Sequence, residues 1–255
     1  MKKSDILGVK VSKYNLEETT SYLAHSIDSG QKKRVCVTPV NCILWAKNSD
    51  ALKQIYNSAD LVAADGMPLI WASRILSRPV NGRVTGLDLL PEFSKIAAKK
   101  KYTFFFLGAS EGVASRLASK VMMENPGLEV TGTYSPPFAE KFTGEENQKI
   151  VDMINAVSPN VLWVSLTAPK QDYWIYEHFN KLNVNIAIGI GAAFDVGVGD
   201  MKRAPLWMQK LGMEWLYRLY QEPKRLYRRY LIEAPVFMPM VLKQVLKEKI
   251  SKQKN

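Results

Sequence analysis

Asp65 closes the apolar run Leu61-Val-Ala-Ala and is followed at once by Gly66, so a buried strand would deliver its carboxylate to a cleft. Partial removal from water disfavours the charged form and raises a carboxyl toward the range of a useful general base. The same position suits an N-cap on a helix opening near Met67, and position alone does not choose between the two. A second candidate is Glu222-Pro-Lys-Arg-Leu-Tyr-Arg-Arg-Tyr230, which puts Arg225, Arg228 and Arg229 at i, i+3 and i+4 on one helix face, with Arg218 one or two turns earlier. Grouped arginines bind phosphate oxygens bidentately; a solvated charged face is the plainer alternative.

Glycine-containing turns at Gly108-Ala-Ser-Glu-Gly112 and Gly189-Ile-Gly191 each stand at the exit of a strand, and the amides at the first suit a phosphate. Neither completes a dinucleotide fingerprint, and the chain has no Walker loop and no Asp-x-Asp pair. Cys36 and Cys42 lie six apart, which fits neither a redox pair nor a zinc half-site, and His25 and His178 are isolated on expected helix surfaces. The expectation is an enzyme with no metal and no cofactor.

These residues need a scaffold, and the pattern supplies one. Apolar strands are expected at 6–11, 34–38, 61–64, 102–107, 128–134, 160–166 and 185–190, separated by amphipathic helices; Asn15-Leu-Glu-Glu18 reads as a capping box. Continuous apolar strands alternating with helices predict an α/β fold, a Rossmann-like parallel sheet covered by helices on both faces. Such sheets bind ligands at the carboxyl ends of their strands, where Thr38, Asp65, Gly108, Tyr134, Gln171 and Asp195 all fall. Beyond Gly199 only helices are expected: one from Arg203 to Gln221, a second after Pro223, and a third from Met240 once Pro235 and Pro239 are passed. Trp207, Trp215, Leu216 and Leu219 are expected to pack this part together.

Charge divides the chain the same way. Residues 202–255 hold 13 Lys+Arg against four Asp+Glu, a net of +9, whereas the rest hold 22 against 20. Residues 1–200 therefore read as an α/β catalytic core and 201–255 as a basic helical appendage for an anionic membrane surface. No apolar run is long enough to span a bilayer, and the amino-terminal residues do not read as a secretory signal. With two free thiols, the expected location is cytoplasmic, peripheral on the inner face of the membrane.

At these motifs the chain resembles the WecG/TagA/CpsF family, glycosyltransferase family 26. The matching segments are Ala64-Asp-Gly-Met-Pro-Leu-Ile-Trp71, Arg83-Val-Thr-Gly-Leu-Asp88, Phe105-Phe-Leu-Gly108, Tyr134-Ser-Pro-Pro-Phe138, Ala168-Pro-Lys-Gln171, Gly189-Ile-Gly-Ala-Ala-Phe-Asp195, Arg203-Ala-Pro-Leu-Trp207, and Gly212–Arg218 with Glu222–Tyr230. The resemblance implies an inverting, metal-independent transfer of a sugar from a UDP-sugar donor to a polyprenyl-diphosphate-linked acceptor in cell-surface polysaccharide or teichoic acid synthesis. The implied sugar is N-acetylmannosamine, with glucose as the alternative.

It further implies Asp65 as catalytic base, Thr38 as a holder of the reacting sugar, Tyr134 and Asp195 at the uridine and Gln171 in the cleft. Asn41, Arg83 and Gly108 join the substrate-binding set. Arg218, Arg225 and Arg228 match the family's carboxyl-terminal arginines, which complete the site when the appendage docks. The chain departs from the family pattern in reading Thr38-Pro-Val-Asn41 where many members have Thr-x-Asn, Thr167 before Ala-Pro-Lys-Gln where glycine is usual, and Ala192-Ala193 where a further glycine is common.

Two other readings compete. A nucleotide-cofactor oxidoreductase fits the sheet but lacks the Gly-rich first turn and ribose-binding acid. A non-catalytic module that binds anionic lipid fits the basic tail; nucleic acid is not an expected partner, since no recognisable motif for it occurs. Homo-oligomerisation is left open by the sequence.

Overall fold

A computed structural model describes residues 2–253. It opens with a hairpin, β1 (Lys3–Ile6) and β2 (Val9–Ser12), where the sequence suggested one strand. Leu7 and Gly8 both take positive φ, which turns the chain in two residues and splits the apolar run. Helix α1 (Leu16–Asp28) follows, and its Asn15–Glu18 capping box forms as expected.

Six parallel strands make the sheet: β3 (Lys33–Pro39), β4 (Leu61–Asp65), β5 (Thr103–Gly108), β6 (Glu129–Tyr134), β7 (Val161–Ser165) and β8 (Ile186–Gly189). Their order is β4-β3-β8-β7-β5-β6, so the α/β expectation holds. Side chains alternate between faces along each strand. Phe104, Phe106, Trp163, Ile186 and Ile188 join one buried cluster, while Phe105, Leu107, Leu162, Val164 and Ala187 join another. Both faces are apolar, and both are covered.

The helices between strands are α2 (Val40–Lys47) and α3 (Asp50–Asn57), then α4 (Met67–Ile75) and α5 (Gly86–Lys100), then α6 (Val113–Glu124), α7 (Gly144–Val157) and α8 (Lys170–His178). His178, expected at a surface, is buried: its Nδ1 meets the Trp174 carbonyl at 2.8 Å and its ring stacks on Trp174. Helix α9 (Ala193–Val198) comes after β8; at six residues it is too short to show a helical period in the sequence.

The carboxyl-terminal part differs in detail from the expected three helices. Gly212, at φ 73°, breaks the first into α10 (Leu206–Lys210) and α11 (Glu214–Gln221). Then come α12 (Pro223–Tyr227), a π-helical segment Arg228–Glu233, a short 3-10 turn Ala234–Val236 and α13 (Phe237–Gln253). Pro239 does not interrupt: it stands in the first turn of α13, where backbone N–H groups have no intrahelical partner to lose. Phe237 and Val241 are wholly buried in the cluster of Ile6, Ile43 and Leu69, so α13 packs on the core. Trp207 is 58% exposed and Leu216 40%, against the expectation that both would be packed.

Candidate active site

Asp65 is the last residue of β4, paired in register with Pro39 at the end of β3. The N-cap of α4 is Gly66, not Asp65, and no side chain caps that helix. Gly66 takes φ 109° and ψ 148°, a conformation costly for any side-chain-bearing residue, and turns the chain away as soon as the acid is placed. The alternative left by the sequence is thereby resolved: the carboxylate is not spent on capping. It faces a cavity of about 440 Å³.

Core and appendage both wall this cavity. Pro39, Asp65 and Ile190 come from strand ends or just after them, Asn41 from the first turn of α2, and Arg83 and Thr85 from the segment that leads into α5; Glu214, Trp215, Arg218, Arg229 and Tyr230 come from α11 and the π-helical segment. Removal from water is the main reason the Asp65 carboxyl is pushed up to about 6; Glu214 adds to the rise, while Arg218, Arg229 and Arg83 oppose it. None of the described residues hydrogen-bonds its carboxylate, so both oxygens are left for whatever enters. Arg218 brings the complementary feature, a buried Nε with no hydrogen-bond partner among the described residues. An unpaired donor in such a place is costly unless an acceptor arrives, and an anion would supply one. Tyr230 packs its ring against Trp215, centroids 5.8 Å apart, to form an aromatic edge of the same chamber.

The other sequence candidates fall in three places. Asn41, buried in the first turn of α2, lines the cavity, and so does Arg83. Thr38 does not: it is fully buried within the sheet and its Oγ1 donates to the Cys36 carbonyl at 3.3 Å. Gln171 lies beneath, buried, its Oε1 accepting from the Gly191 N–H at 3.0 Å, while Ser165 Oγ donates to the Gly191 carbonyl at 2.5 Å. Gln171 thus holds the loop after β8 in place instead of lining the cavity.

Gly108, Tyr134 and Asp195 lie away from that chamber. Gly108 has φ 110° and no room for a Cβ, which would collide with the Ser165 carbonyl; its own carbonyl accepts from Ser135 Oγ at 3.1 Å. The Tyr134 hydroxyl donates to Glu146 at 2.7 Å and Lys149 Nζ lies 2.8 Å from it. Asp195, partly buried on α9, has its pKa raised by burial, with Arg225 among the charges that oppose the rise.

The arginines divide differently from the expectation. Arg218 enters the cavity, but Arg225 is exposed and paired with Glu222, and Arg228 is exposed and paired with Glu233 at 3.4 Å. Arg229 enters instead. The π-helical turn beginning at Arg228 alters the angular spacing that placed the three on one face. Glu214 was also missed, because an acid set among arginines of a cavity wall has no positive signature in the sequence.

Parallel strands whose carboxyl ends open on a chamber, one unpaired acid facing arginines, define an α/β group-transfer enzyme suited to an anionic substrate. The family model described as Glycosyl transferase WecG/TagA/CpsF matches residues 4–251, and the chain belongs to that family. Curated relatives agree along almost its whole length. The N-acetylglucosaminyldiphosphoundecaprenol N-acetyl-beta-D-mannosaminyltransferase of Bacillus subtilis (strain 168) is 30% identical over 234 residues, which is 90% of this chain and 87% of the relative. The protein of the same name from Staphylococcus aureus (strain MW2) is 28% identical over 254 residues, 99% of this chain and 96% of the relative.

Proposed function

We propose that the protein transfers N-acetylmannosamine from its UDP form to a polyprenyl-diphosphate-linked N-acetylglucosamine, with inversion at the anomeric carbon. The observation that carries this reading is the free Asp65 carboxylate, raised to about 6, in a cavity also lined by Arg218, Arg229 and Arg83. Asp65 takes the proton of the acceptor hydroxyl as that oxygen bonds to the anomeric carbon. The bond from that carbon to the UDP oxygen breaks, and its electron pair goes to the departing β-phosphate. Arg218 and Arg229 meet the charge that develops there, so in this reading no divalent cation is needed. Stabilisation of this kind is strongest in a water-poor site with fixed donors, which the appendage provides by covering the strand ends.

Tyr134 and Asp195 are assigned to the uridine side, with Gly108 beside them, Thr38 and Gln171 behind the sugar pocket, and Arg225 and Arg228 at the outer rim. Among the described residues, no helix is long and apolar enough to cross a membrane. In this reading the basic residues of 202–255, with exposed Leu206, Trp207, Leu211 and Tyr220, meet the anionic inner face of the membrane where the acceptor resides. The product would enter cell-surface polymer synthesis.

The test is a panel of UDP-sugars, glucose included, offered with a short-chain lipid-diphosphate N-acetylglucosamine, with and without a chelator, reading UDP release. Release with UDP-N-acetylmannosamine that survives the chelator is expected. No release with any sugar would remove the proposal.

A further inference from the structure

Four charged side chains join the appendage to the core in an alternating ring. Arg83 Nη1 meets Glu214 Oε2 at 3.1 Å, Glu214 Oε1 meets Arg203 Nε at 3.4 Å, Arg203 Nη2 meets Asp88 Oδ1 at 2.5 Å, and Asp88 Oδ2 returns to Arg83 Nη2 at 3.4 Å. Asp88 is itself held by Thr85, whose Oγ1 donates to it at 2.8 Å. Two positive and two negative charges alternate, so the ring adds little net field to the cavity while fixing the relative positions of its members. Glu214 is the least exposed of the four, at 15% of its side chain. Removing Glu214 would leave Arg83 and Arg203, both partly desolvated, sharing Asp88 as their one acidic partner in the ring, which weakens the tie between α11 and the core.

Helix α11 is also held by Gln221, which exchanges two hydrogen bonds with the Lys202 backbone, and by Trp215 against Tyr230. Those partners belong to the appendage, whereas the ring ties the helix to the core. The helix has no fully buried residue, and Met213 at its N-cap gives no side-chain hydrogen bond. Glu214 opens the helix, and Arg218 stands four residues on, one turn along the same face. Both line the cavity that holds Asp65.

We propose that Glu214 is a positioning residue for the transfer: by bridging Arg83 and Arg203 it seats α11 so that Arg218 stands in the cavity opposite Asp65. This rests on the transferase reading above. Glu214 carries the same charge as the leaving diphosphate and so does not stabilise it directly. Its contribution runs through the arginine that it places.

The experiment compares Glu214→Gln, Arg218→Gln and the double variant in UDP release. Glu214→Gln is expected to lower kcat at least tenfold, with KM for the donor changed less than threefold. In the Arg218→Gln background the same substitution is expected to lower kcat less than twofold further, because the residue it places is already gone. A full, additive loss in the double variant overturns the proposal. The acidic limb of the pH profile gives a second readout. Loss of the Glu214 charge alone would lower the Asp65 pKa, but withdrawal of Arg218, the larger charge effect, raises it. The limb is therefore expected to move to higher pH, and a move to lower pH, with Arg218 still in place, overturns the seating role.

If Glu214→Gln does not fold, Arg203→Gln breaks the ring from a residue outside the cavity wall and is put through the same cycle with Arg218→Gln. Hydrogen exchange over residues 214–221 needs no turnover and so separates this proposal from the transferase reading. Lost protection in the variant supports the seating role, and unchanged protection overturns it whatever the reaction proves to be.

Discussion

Asp65 pairs with Pro39 on the last rung of the β3–β4 ladder, at the point where both strands give way to helices. The acid therefore leaves the sheet where backbone pairing ends, and its burial is a cost to the folded state. Its folded pKa, about 6, lies above the ordinary 3.8, so the native state binds the proton more tightly than the unfolded chain. Stability from this group is fullest below the unfolded value and is lost as pH rises through the folded one. Asp65→Asn is expected to slow transfer by about 10²–10⁴-fold, the range for a general base. It is also expected to stabilise the fold at pH 7.5, by up to about 3 kcal/mol before solvent screening is allowed for. Thermal melts at pH 5 and 7.5 check it: the gain should shrink at the lower pH. A variant less stable than the parent at pH 7.5 contradicts the electrostatic picture.

The arginines offer a sharper contrast, because neighbours in sequence differ in place. Arg229 lines the cavity, while Arg228 is exposed and meets only Glu233 among the described acids. Arg218→Gln and Arg229→Gln are each expected to lower kcat by about 10²–10³-fold, as loss of a charge-stabilising donor does elsewhere. Arg228→Gln is expected to change kcat less than tenfold with a short-chain acceptor in solution. Steady-state UDP release decides it; equal losses at 228 and 229 would mean that the π-helical turn does not persist during turnover.

The sheet was legible because each strand is a continuous apolar run between amphipathic helices, and Phe104 to Leu107 must be buried on both faces. Asp65 was legible for the same reason, as a polar residue ending such a run. The cavity's other wall was not. Its residues are brought in by a turn at Gly212 and a π-helical segment, and neither follows from a 3.6-residue period. Arg229 and Glu214 become site residues only once those irregular turns are placed. Thr38, read as a cleft residue from its position near a strand end, sits one residue too early and is enclosed by the sheet.

Membrane affinity should depend on α13 as well as on the arginines. Leu242, Leu246 and Ile250 are exposed at successive i, i+4 positions, flanked by exposed Lys243, Lys247 and Lys249. Replacing the three lysines by glutamine is expected to weaken binding to anionic vesicles by about 3 kcal/mol, at about 1 kcal/mol per cation near the surface. Sedimentation with phosphatidylglycerol vesicles at rising salt measures it. Loss of binding that is equal on neutral vesicles would point to apolar contact alone.

A buried acid behind the site gives a pH-dependent stability prediction. Tyr56 donates its hydroxyl to Asp172 at 3.0 Å, and burial pushes the Asp172 carboxyl up to about 7 from 3.8. The tyrosine favours the charged form, so Tyr56→Phe should raise that pKa further. Stability should then fall as pH rises through 7, with a loss of about 1.5–3 kcal/mol at pH 8 for a hydrogen bond to a charged group. At pH 5, where the carboxyl is protonated in the native state, the loss should be smaller. Urea titrations at the two pH values test the sign.

Phe237 marks the part of the appendage that supports the fold, as against the exposed part proposed to meet the membrane. It is wholly buried, with Val241, among residues of the hairpin, α2 and α4. Phe237→Ala removes a large side chain from that packing and is expected to cost about 3–5 kcal/mol. Trp207, 58% exposed on α10, has no such packing to lose, and Trp207→Ala is expected to stay within about 0.5 kcal/mol of the parent. Its vesicle binding should nevertheless weaken, because the exposed indole is available to the interface. The same logic bears on truncation: removing residues 201–255 takes Phe237 and Val241 out of the core cluster, so the remaining chain should melt earlier than the intact protein. Chemical denaturation of the point variants and the truncation, read beside vesicle sedimentation, checks all three. A truncated chain as stable as the parent would show that α13 contributes coverage but no net packing energy.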